Sequence, residues 1–274
     1  MKAVRTRSFL CALLLGAVAL STTGCLSGIK EPYSLEERIP VMEASLSRTV
    51  RYADGFASDL CVVEDEGSFD ENYVTSEAAA LFDVSDRETL YSKEAFERLY
   101  PASITKILTT LIAIEHSHPS EKVTFSENAV YGIEQGSSNI GIRLGENLTM
   151  EDCLYGMMLE SANEVCVAVA EHISGSVDAF VELMNQKAAS LGCTNTHFTN
   201  PNGLPDENHY TTAHDMALIA QAAYNNATFR KVCQTTTYCI GKTNKCGEER
   251  WLSNHHKMLP DRDYTYEGCT GGKT

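Results

Sequence analysis

The chain has 274 residues, of which 43% are hydrophobic and 22% charged, and its formal net charge at pH 7 is −15. These proportions are those of an ordinary globular protein, long enough for one large domain or two small ones. The negative charge gives no electrostatic support to nucleic-acid binding. We therefore expect a folded protein without a nucleic-acid partner.

Residues 1–25 have the layout of an export signal. Basic residues come first, and the apolar run 9–20 that follows is too short to span a bilayer. Thr23-Gly24-Cys25 resembles the end of a bacterial lipoprotein signal, where the cysteine carries a lipid, although Thr22 stands where that pattern prefers leucine. Simple cleavage and lipidation of Cys25 both stay open, and either predicts an exported protein.

Export permits disulfide bonds. Among the ten cysteines, Cys239 and Cys246 flank a predicted turn, IGKTNKCG, and are the best disulfide candidates. Cys153 and Cys166 lie on apolar helical faces, where a free cysteine acts as a small hydrophobic residue. No group of cysteines and histidines has the spacing of a metal site, so we expect no metal ion.

Residues 26–72 are mixed and acidic and are predicted to form a tether and lead-in to a domain over residues 73–274. This domain is predicted to begin with a β-hairpin, with strands over 78–83 and 89–92 and a polar turn between them. Pro101 then opens a helix, because proline is favoured in the first helical turn. Apolar residues recur at helical spacing behind it, which predicts burial on most sides.

More helices are predicted in the middle of the chain. Thr149 and Asp152 form a capping-box pattern, and Asn163 is placed to cap the next helix. A third helix runs over about 177–191 and stops at Gly192, and a fourth runs over about 212–224. Strand-like sequence returns after residue 231. Strands, then helices, then strands predict an α+β fold with an inserted helical subdomain.

Ser103 and Lys106, within YPASITKILT, lie three residues apart at the start of the predicted buried helix. Residues at this spacing share a helix face. A serine hydroxyl needs a base within hydrogen-bond reach to become a nucleophile, and a lysine is such a base only when neutral. Burial favours the neutral amine. The pair therefore predicts a nucleophile and its base.

Two further motifs follow in order. Ser161-Ala162-Asn163 lies at a predicted helix–helix junction, which could turn both polar side chains into a cleft, whereas the S-x-N matches at 126–128 and 137–139 lie in polar sequence and are predicted to be turns. Lys273 and Thr274 end a strand-like approach, GGKT. A cation and a hydroxyl at a strand edge suit the binding of a carboxylate.

YPASITKILT, LESANEVCVAVA and GGKT together resemble the three signatures of the serine D-alanyl-D-alanine carboxypeptidases of peptidase family S11, the low-molecular-weight penicillin-binding proteins. Connecting stretches such as LGCTNTHFTNPNGL are similar as well, so the resemblance covers residues 73–274. It implies a β-lactamase/transpeptidase-like antiparallel sheet flanked by helices, with an inserted helical subdomain.

The resemblance also implies an activity. Ser103 would attack the terminal D-Ala-D-Ala bond of a peptidoglycan stem peptide, Lys106 would take its proton, and water would later hydrolyse the acyl-enzyme. Ser161 would pass a proton to the leaving D-alanine and Asn163 would hold the substrate amide. Lys273 and Thr274 would bind the terminal carboxylate. β-Lactams would be covalent inhibitors, and no metal or organic cofactor is implied.

The third family signature reads K-T-G, but this sequence ends at Thr274. The resemblance therefore leads us to expect a catalytic domain truncated at its C-terminal end. A C-terminal membrane anchor, or a lipid on Cys25, would place the protein on the outer face of the cytoplasmic membrane; without them it would lie in the cell wall or extracellular space.

Three other functions stay open, of which two are enzymatic. A DD-endopeptidase that cuts cross-links would use the same motifs. A class A-like β-lactamase would need a deacylating Glu-x-x-x-Asn loop, for which we find no convincing match between Ser161 and Lys273. A non-catalytic penicillin-binding sensor would not need a nucleophile and base, and turnover of a D-Ala-D-Ala peptide distinguishes it from an enzyme.

Overall fold

The computed structural model describes residues 74–83, 88–257, 259 and 273. The predictions for the export signal, Cys25, the tether over 26–72 and Thr274 fall outside these residues. In the described part the strands are β1 (Ala79–Asp83), β2 (Glu88–Lys93), β3 (Lys122–Thr124), β4 (Asn147–Thr149), β5 (Thr237–Ile240) and β6 (Arg250–Ser253). The helices are α1 (Lys106–His116), α2 (Glu127–Tyr131), α3 (Met150–Leu159), α4 (Asn163–Ser174), α5 (Val177–Ser190), α6 (Ala213–Asn225) and α7 (Ala227–Gln234).

The described strands form antiparallel pairs, β1 with β2, β3 with β4 and β5 with β6. The predicted N-terminal hairpin is confirmed by the first pair, which has a register shift between Leu81 and Phe82. Helices make up most of the chain between β2 and β5, so the predicted α+β class is confirmed as well. In the described residues, no helix is long and apolar enough to cross a membrane.

The core of the described region lies where α3 packs against α1 and α4, with α5 covering the outer side of α4. Its centre consists of side chains that are at most 1% exposed, including Leu108, Ile112, Leu154, Met157, Val165 and Phe180. This burial explains the nearly unbroken apolar sequence of these helices. The core also fixes the starts of α1 and α4, which carry the predicted site residues.

Most predicted helix boundaries are confirmed. Thr149 and Asp152 form the capping box of α3. The helix α5 ends where expected, and Gly192 beyond it has a φ of 89°, in the left-handed region that favours glycine. Thr212 caps α6 by accepting a hydrogen bond from the backbone N–H of Asp215.

Two predictions about helices were wrong. Asn163 does not cap α4: Ala162 occupies the N-cap, and Asn163 is the first helical residue. The return to strands after residue 231 was placed too early, because α7 continues to Gln234. Asn226 starts α7 by accepting hydrogen bonds from the N–H groups of Thr228 and Phe229, a capping signal that the sequence reading missed.

The best disulfide candidates, Cys239 and Cys246, are not paired, since both residues are free thiols. Cys239 lies on β5 opposite Trp251. The backbone of Cys246 folds back on Thr243, donating a hydrogen bond to its Oγ1 over 3.0 Å. The Cys246 thiol is directed to the carbonyl of Glu248, 3.6 Å away, rather than to Cys239.

Candidate active site

Ser103 lies in a 3-10 turn, Ala102–Thr105, that continues directly into α1. The residue before it, Ala102, has a φ of 47°, which is unusual for a residue with a side chain. No side chain caps the start of either the turn or α1. The Ser103 hydroxyl is therefore not used to satisfy the helix N-terminus and is left for other contacts.

Lys106 is the first residue of α1, and its side chain is completely buried. Its Nζ lies 3.2 Å from Ser103 Oγ, 2.8 Å from Asn163 Oδ1 and 2.6 Å from the carbonyl oxygen of Asn202. Burial lowers the pKa of the Lys106 amine from its ordinary value, although the nearby Cys166 and Glu164 act in the opposite direction. The site therefore favours the neutral amine that a general base requires.

A neutral lysine has two N–H bonds and one lone pair. The carbonyl oxygen of Asn202 and the amide oxygen of Asn163 can only accept, so Lys106 donates one N–H to each of them. The remaining contact is Ser103 Oγ, at 3.2 Å. When the amine is neutral, its lone pair is left for the hydroxyl proton of Ser103, whereas the charged amine also donates to Ser103 Oγ.

Ser161 contacts the Ser103 hydroxyl group as well. Its Oγ donates a hydrogen bond to Ser103 Oγ over 2.9 Å. It has a φ of 58° in the junction between α3 and α4, so the chain accepts an unfavourable backbone conformation at this point. Asn163, from the same junction, contacts Lys106, so this junction brings two polar side chains to the Ser103–Lys106 pair.

The structure thus brings Ser103, Lys106, Ser161 and Asn163 into contact, as the motifs predicted. Lys273 is near them: burial, and then the positive charge of Lys106, lower its pKa to about 8. The two amines are therefore close enough for the charge of one to act on the other.

The loop over residues 199–209 is a part of the site that the sequence reading missed. Its Asn202 supplies the backbone acceptor for Lys106. Gly203 has a φ of 84°, and a Cβ there would lie 1.8 Å from the carbonyl oxygen of Ala102. The close approach of this loop to the 3-10 turn therefore requires glycine. The sequence signal was Asn-Pro-Asn-Gly, which lies in a stretch noted only for its similarity to the family.

Glu164, next to Asn163, was also missed. It is 2% exposed, and its Oε1 accepts a hydrogen bond from the N–H of Ile140 over 2.6 Å. Its Oε2 is buried without a hydrogen-bond partner among the described residues. Burial raises the pKa of this carboxyl group. The segment that contains Ile140 also contacts Asn163, because the Asn163 N–H donates a hydrogen bond to the carbonyl of Ser138 over 2.9 Å.

Comparison with known families assigns the chain to a family. The family model for D-alanyl-D-alanine carboxypeptidase, peptidase family S11, matches residues 66–274. The chain belongs to this family. The family predicted from the three motifs is therefore confirmed.

Curated members of the S11 family are similar over most of this chain. D-alanyl-D-alanine carboxypeptidase DacF of Bacillus subtilis (strain 168) is 37% identical over 204 residues, covering 73% of this chain and 50% of the relative. D-alanyl-D-alanine carboxypeptidase DacA of Haemophilus influenzae is 36% identical over 207 residues, covering 73% of this chain and 51% of the relative. The chain thus spans about half the length of these curated relatives.

Solved structures of S11-type enzymes share the fold. A Streptomyces K15 DD-transpeptidase mutant aligns with a TM-score of 0.67 at 29% identity, covering 73% of this chain and 80% of that one. A D-alanyl-D-alanine carboxypeptidase from Mycobacterium tuberculosis H37Rv aligns with a TM-score of 0.68 at 28% identity, covering 77% and 76%. These alignments confirm the predicted transpeptidase-like α+β fold.

Proposed function

We propose that this chain carries the catalytic centre of a serine-type D-Ala-D-Ala carboxypeptidase. It hydrolyses the terminal D-Ala-D-Ala bond of peptidoglycan stem peptides through a serine acyl-enzyme and releases D-alanine. The observation that supports this most strongly is the position of Ser103 Oγ, 3.2 Å from Lys106 Nζ and 2.9 Å from Ser161 Oγ. A nucleophile between a buried amine and a second hydroxyl is arranged for proton transfer on both sides of an acyl-transfer step.

In the acylation step, Ser103 Oγ forms a bond to the carbonyl carbon of the penultimate D-alanine while its proton moves to Lys106. The carbonyl oxygen becomes an oxyanion, to which the backbone N–H of Ser103 would donate a hydrogen bond. When the tetrahedral intermediate collapses, the C–N bond breaks and the leaving amine takes the Ser161 proton. The ammonium of Lys106 returns a proton to Ser161, so the protons balance.

In the second step, water attacks the Ser103 ester and the C–O bond to Ser103 Oγ breaks. The OH of the water stays on the peptide, which leaves as a carboxylic acid, and the other proton of the water returns to Ser103 Oγ. Asn163 holds the substrate amide. Lys273 and Thr274 bind the terminal carboxylate of the substrate, and the charge of Lys273 helps keep Lys106 neutral. A β-lactam acylates Ser103 in the same way but is released slowly. None of these steps requires a metal ion or an organic cofactor.

The proposal also places the protein outside the cytoplasm, where peptidoglycan is found. Residues 1–25 would direct export, residues 26–72 would act as a tether, and residues 73–274 would belong to the catalytic domain. The mass of the mature N-terminal peptide distinguishes lipidated Cys25 from simple signal cleavage.

The test uses the full-length protein. After treatment with a labelled penicillin, peptide mass mapping should find the adduct on Ser103. Lys106→Ala should lose the adduct, because no neutral amine then accepts the serine proton. Lys122→Ala, which removes an exposed lysine on β3, is the matched control and should be labelled at the wild-type rate.

A turnover assay then separates the alternative activities. Release of D-alanine from a stem pentapeptide supports the carboxypeptidase, whereas cleavage of a cross-linked dimer with no D-alanine release identifies an endopeptidase. Fast hydrolysis of the penicillin adduct identifies a β-lactamase. A folded protein that forms no adduct at all contradicts the acyl-enzyme mechanism and leaves the non-catalytic sensor.

A further inference from the structure

His209 lies 104 residues after Thr105 in the chain but in direct contact with it. The His209 ring is 2% exposed, and its Nε2 is 2.8 Å from the buried Oγ1 of Thr105. Thr105 is the last residue of the 3-10 turn that carries Ser103, here called the nucleophile turn, and it directly precedes Lys106. The contact therefore joins the 3-10 turn of Ser103 to the end of the 199–209 loop.

The hydrogen bonds of the ring define its protonation. The backbone N–H of Thr199 donates to His209 Nδ1 over 3.1 Å, and an N–H cannot accept, so Nδ1 carries no proton. The ring proton is therefore on Nε2, which donates to Thr105 Oγ1. Burial lowers the pKa of His209 to about 4; the nearby Asp206 acts to raise this pKa and His197 acts to lower it. The neutral ring persists near pH 7.

The loop that His209 anchors is the one that holds the general base. Asn202, in the middle of it, accepts the 2.6 Å hydrogen bond from Lys106. On one side of Asn202, the carbonyl oxygen of Pro201 accepts a hydrogen bond from Thr109 Oγ1 over 2.7 Å. On the other, Gly203 lies against Ala102 with no space for a Cβ.

We propose that His209 is a positioning residue for the acylation of Ser103. Its hydrogen bond to Thr105 holds the nucleophile turn against the 199–209 loop, and this keeps the carbonyl of Asn202 in place to accept an N–H from Lys106. Without this hydrogen bond, the carbonyl of Asn202 is no longer a fixed acceptor for Lys106. The lone pair of the amine is then no longer held toward Ser103. This inference deepens the proposed function and rests on it.

The experiment measures the second-order acylation rate of the full-length protein with a labelled penicillin, per folded molecule. His209→Leu and Thr105→Val each remove one partner of the hydrogen bond, and we expect each to lower the rate about 10- to 100-fold, within the range that displaced catalytic groups produce. The double variant should be no slower than the slower single variant, because both changes break the same contact. His209→Gln keeps an N–H donor and an acceptor and should recover most of the rate.

His197→Gln is the matched control. His197 belongs to the preceding strand-like segment, is exposed, and contacts the carbonyl of Asn208 through Nδ1 over 2.7 Å rather than the nucleophile turn. We expect it to acylate at the wild-type rate. A His209→Leu protein that is folded and acylates within twofold of wild type overturns the proposal. Independent, multiplicative losses in the double variant overturn it as well.

Hydrogen exchange gives a second readout that does not depend on penicillin. The amides of Thr199, Gly203 and Leu204 are hydrogen-bonded within or next to the loop and should exchange faster in His209→Leu, whereas the amides of α3 should not change. Unchanged exchange in the loop contradicts the proposal even if the wild-type protein forms no adduct. Failure of the proposed function is seen separately, as the absence of an adduct in the wild type.

Discussion

The helix starts at the candidate site differ from those elsewhere in the described region. The starts of α2, α3, α5, α6 and α7 are each capped by a side chain: Ser126, Thr149, Ser176, Thr212 and Asn226. The starts of α1 and α4 have no side-chain cap, although Ser103, Ser161 and Asn163 lie there. The residue types that cap the other helices contact one another and Lys106 at the site.

Serine and asparagine side chains therefore have different roles at the capped helix starts and at the candidate site. A capping serine or asparagine contributes about 1 kcal/mol to helix stability by accepting from a free N–H. At the site, that contribution is forgone, because the side chains contact Ser103 and Lys106 instead of the backbone N–H groups. The comparison predicts that similar substitutions in the two regions affect different measurable quantities.

The largest contrast is expected between two asparagines. Asn163→Ala removes an acceptor of the Lys106 amine and should lower the acylation rate about 100- to 1,000-fold, comparable to the loss of one preorganised hydrogen-bonding group in an active site. Asn226→Ala removes the cap of α7 and should lower the free energy of unfolding by about 1 kcal/mol. Acylation kinetics and thermal unfolding of both variants measure the two effects. An Asn163→Ala protein that acylates like wild type would remove the distinction between the two regions.

Gly203→Ala should have the next largest effect, because the new Cβ would overlap the carbonyl of Ala102 and the φ of 84° is unfavourable for alanine. We expect a loss of roughly 3 kcal/mol in the free energy of unfolding, together with reduced acylation. Gly175→Ala is a useful control: it has a similar φ of 77° but no atom near its Cβ position, and should cost only about 1 kcal/mol. Equal losses in both variants would show that backbone conformation, and not contact with the nucleophile turn, determines the cost.

The pH dependence of acylation tests the pair of lysines. In the proposed mechanism the base is neutral Lys106, so the rate should rise with pH through its pKa, which burial places below the ordinary value of 10.5. Lys273→Met removes a neighbouring positive charge and should move this rise to higher pH; if the midpoint rises by about one pH unit, the rate on the acid side falls roughly tenfold. Lys231→Met, at an exposed lysine paired with Glu151, should leave the midpoint in place. A midpoint that is unaffected by Lys273→Met would contradict the mutual repulsion.

The smallest effect is expected from Glu164→Gln. Burial raises the folded-state pKa of Glu164 above its unfolded value, so wild-type protein loses stability as pH rises through the folded-state pKa. Glutamine cannot ionise. The variant should therefore gain roughly 1 kcal/mol at pH 7, the approximate cost of an unpaired buried polar group, and the gain should disappear in acid below the ordinary carboxyl pKa.

Thermal unfolding at pH 4 and pH 7 measures this difference. Glu182→Gln, at an exposed glutamate of α5, is the matched control for replacing a glutamate by glutamine. A stability gain for Glu164→Gln that is the same at both pH values would show that ionisation is not its cause.

The sequence predicted the fold class, the first hairpin and most helices, because these depend on local patterns: apolar spacing, caps and turn residues. It also placed Ser103, Lys106, Ser161 and Asn163 in one site, since three ordered motifs are specific. It missed Asn202 and His209, because a backbone carbonyl has no sequence signature and a lone loop histidine is not distinguishable from a surface one. It misread Asn163 as a cap, because capping and catalytic residues are of the same types.

The left-handed conformations of Ala102 and Ser161 have a consequence for laboratory evolution. Both positions are strained for residues with side chains, so a selection for heat resistance alone would reward glycine at each of them. Glycine at 161 would delete the hydroxyl beside the nucleophile, and glycine at 102 would loosen the turn that carries it. Libraries screened for thermal tolerance should therefore accumulate inactive variants at these two codons unless each round also selects for penicillin labelling.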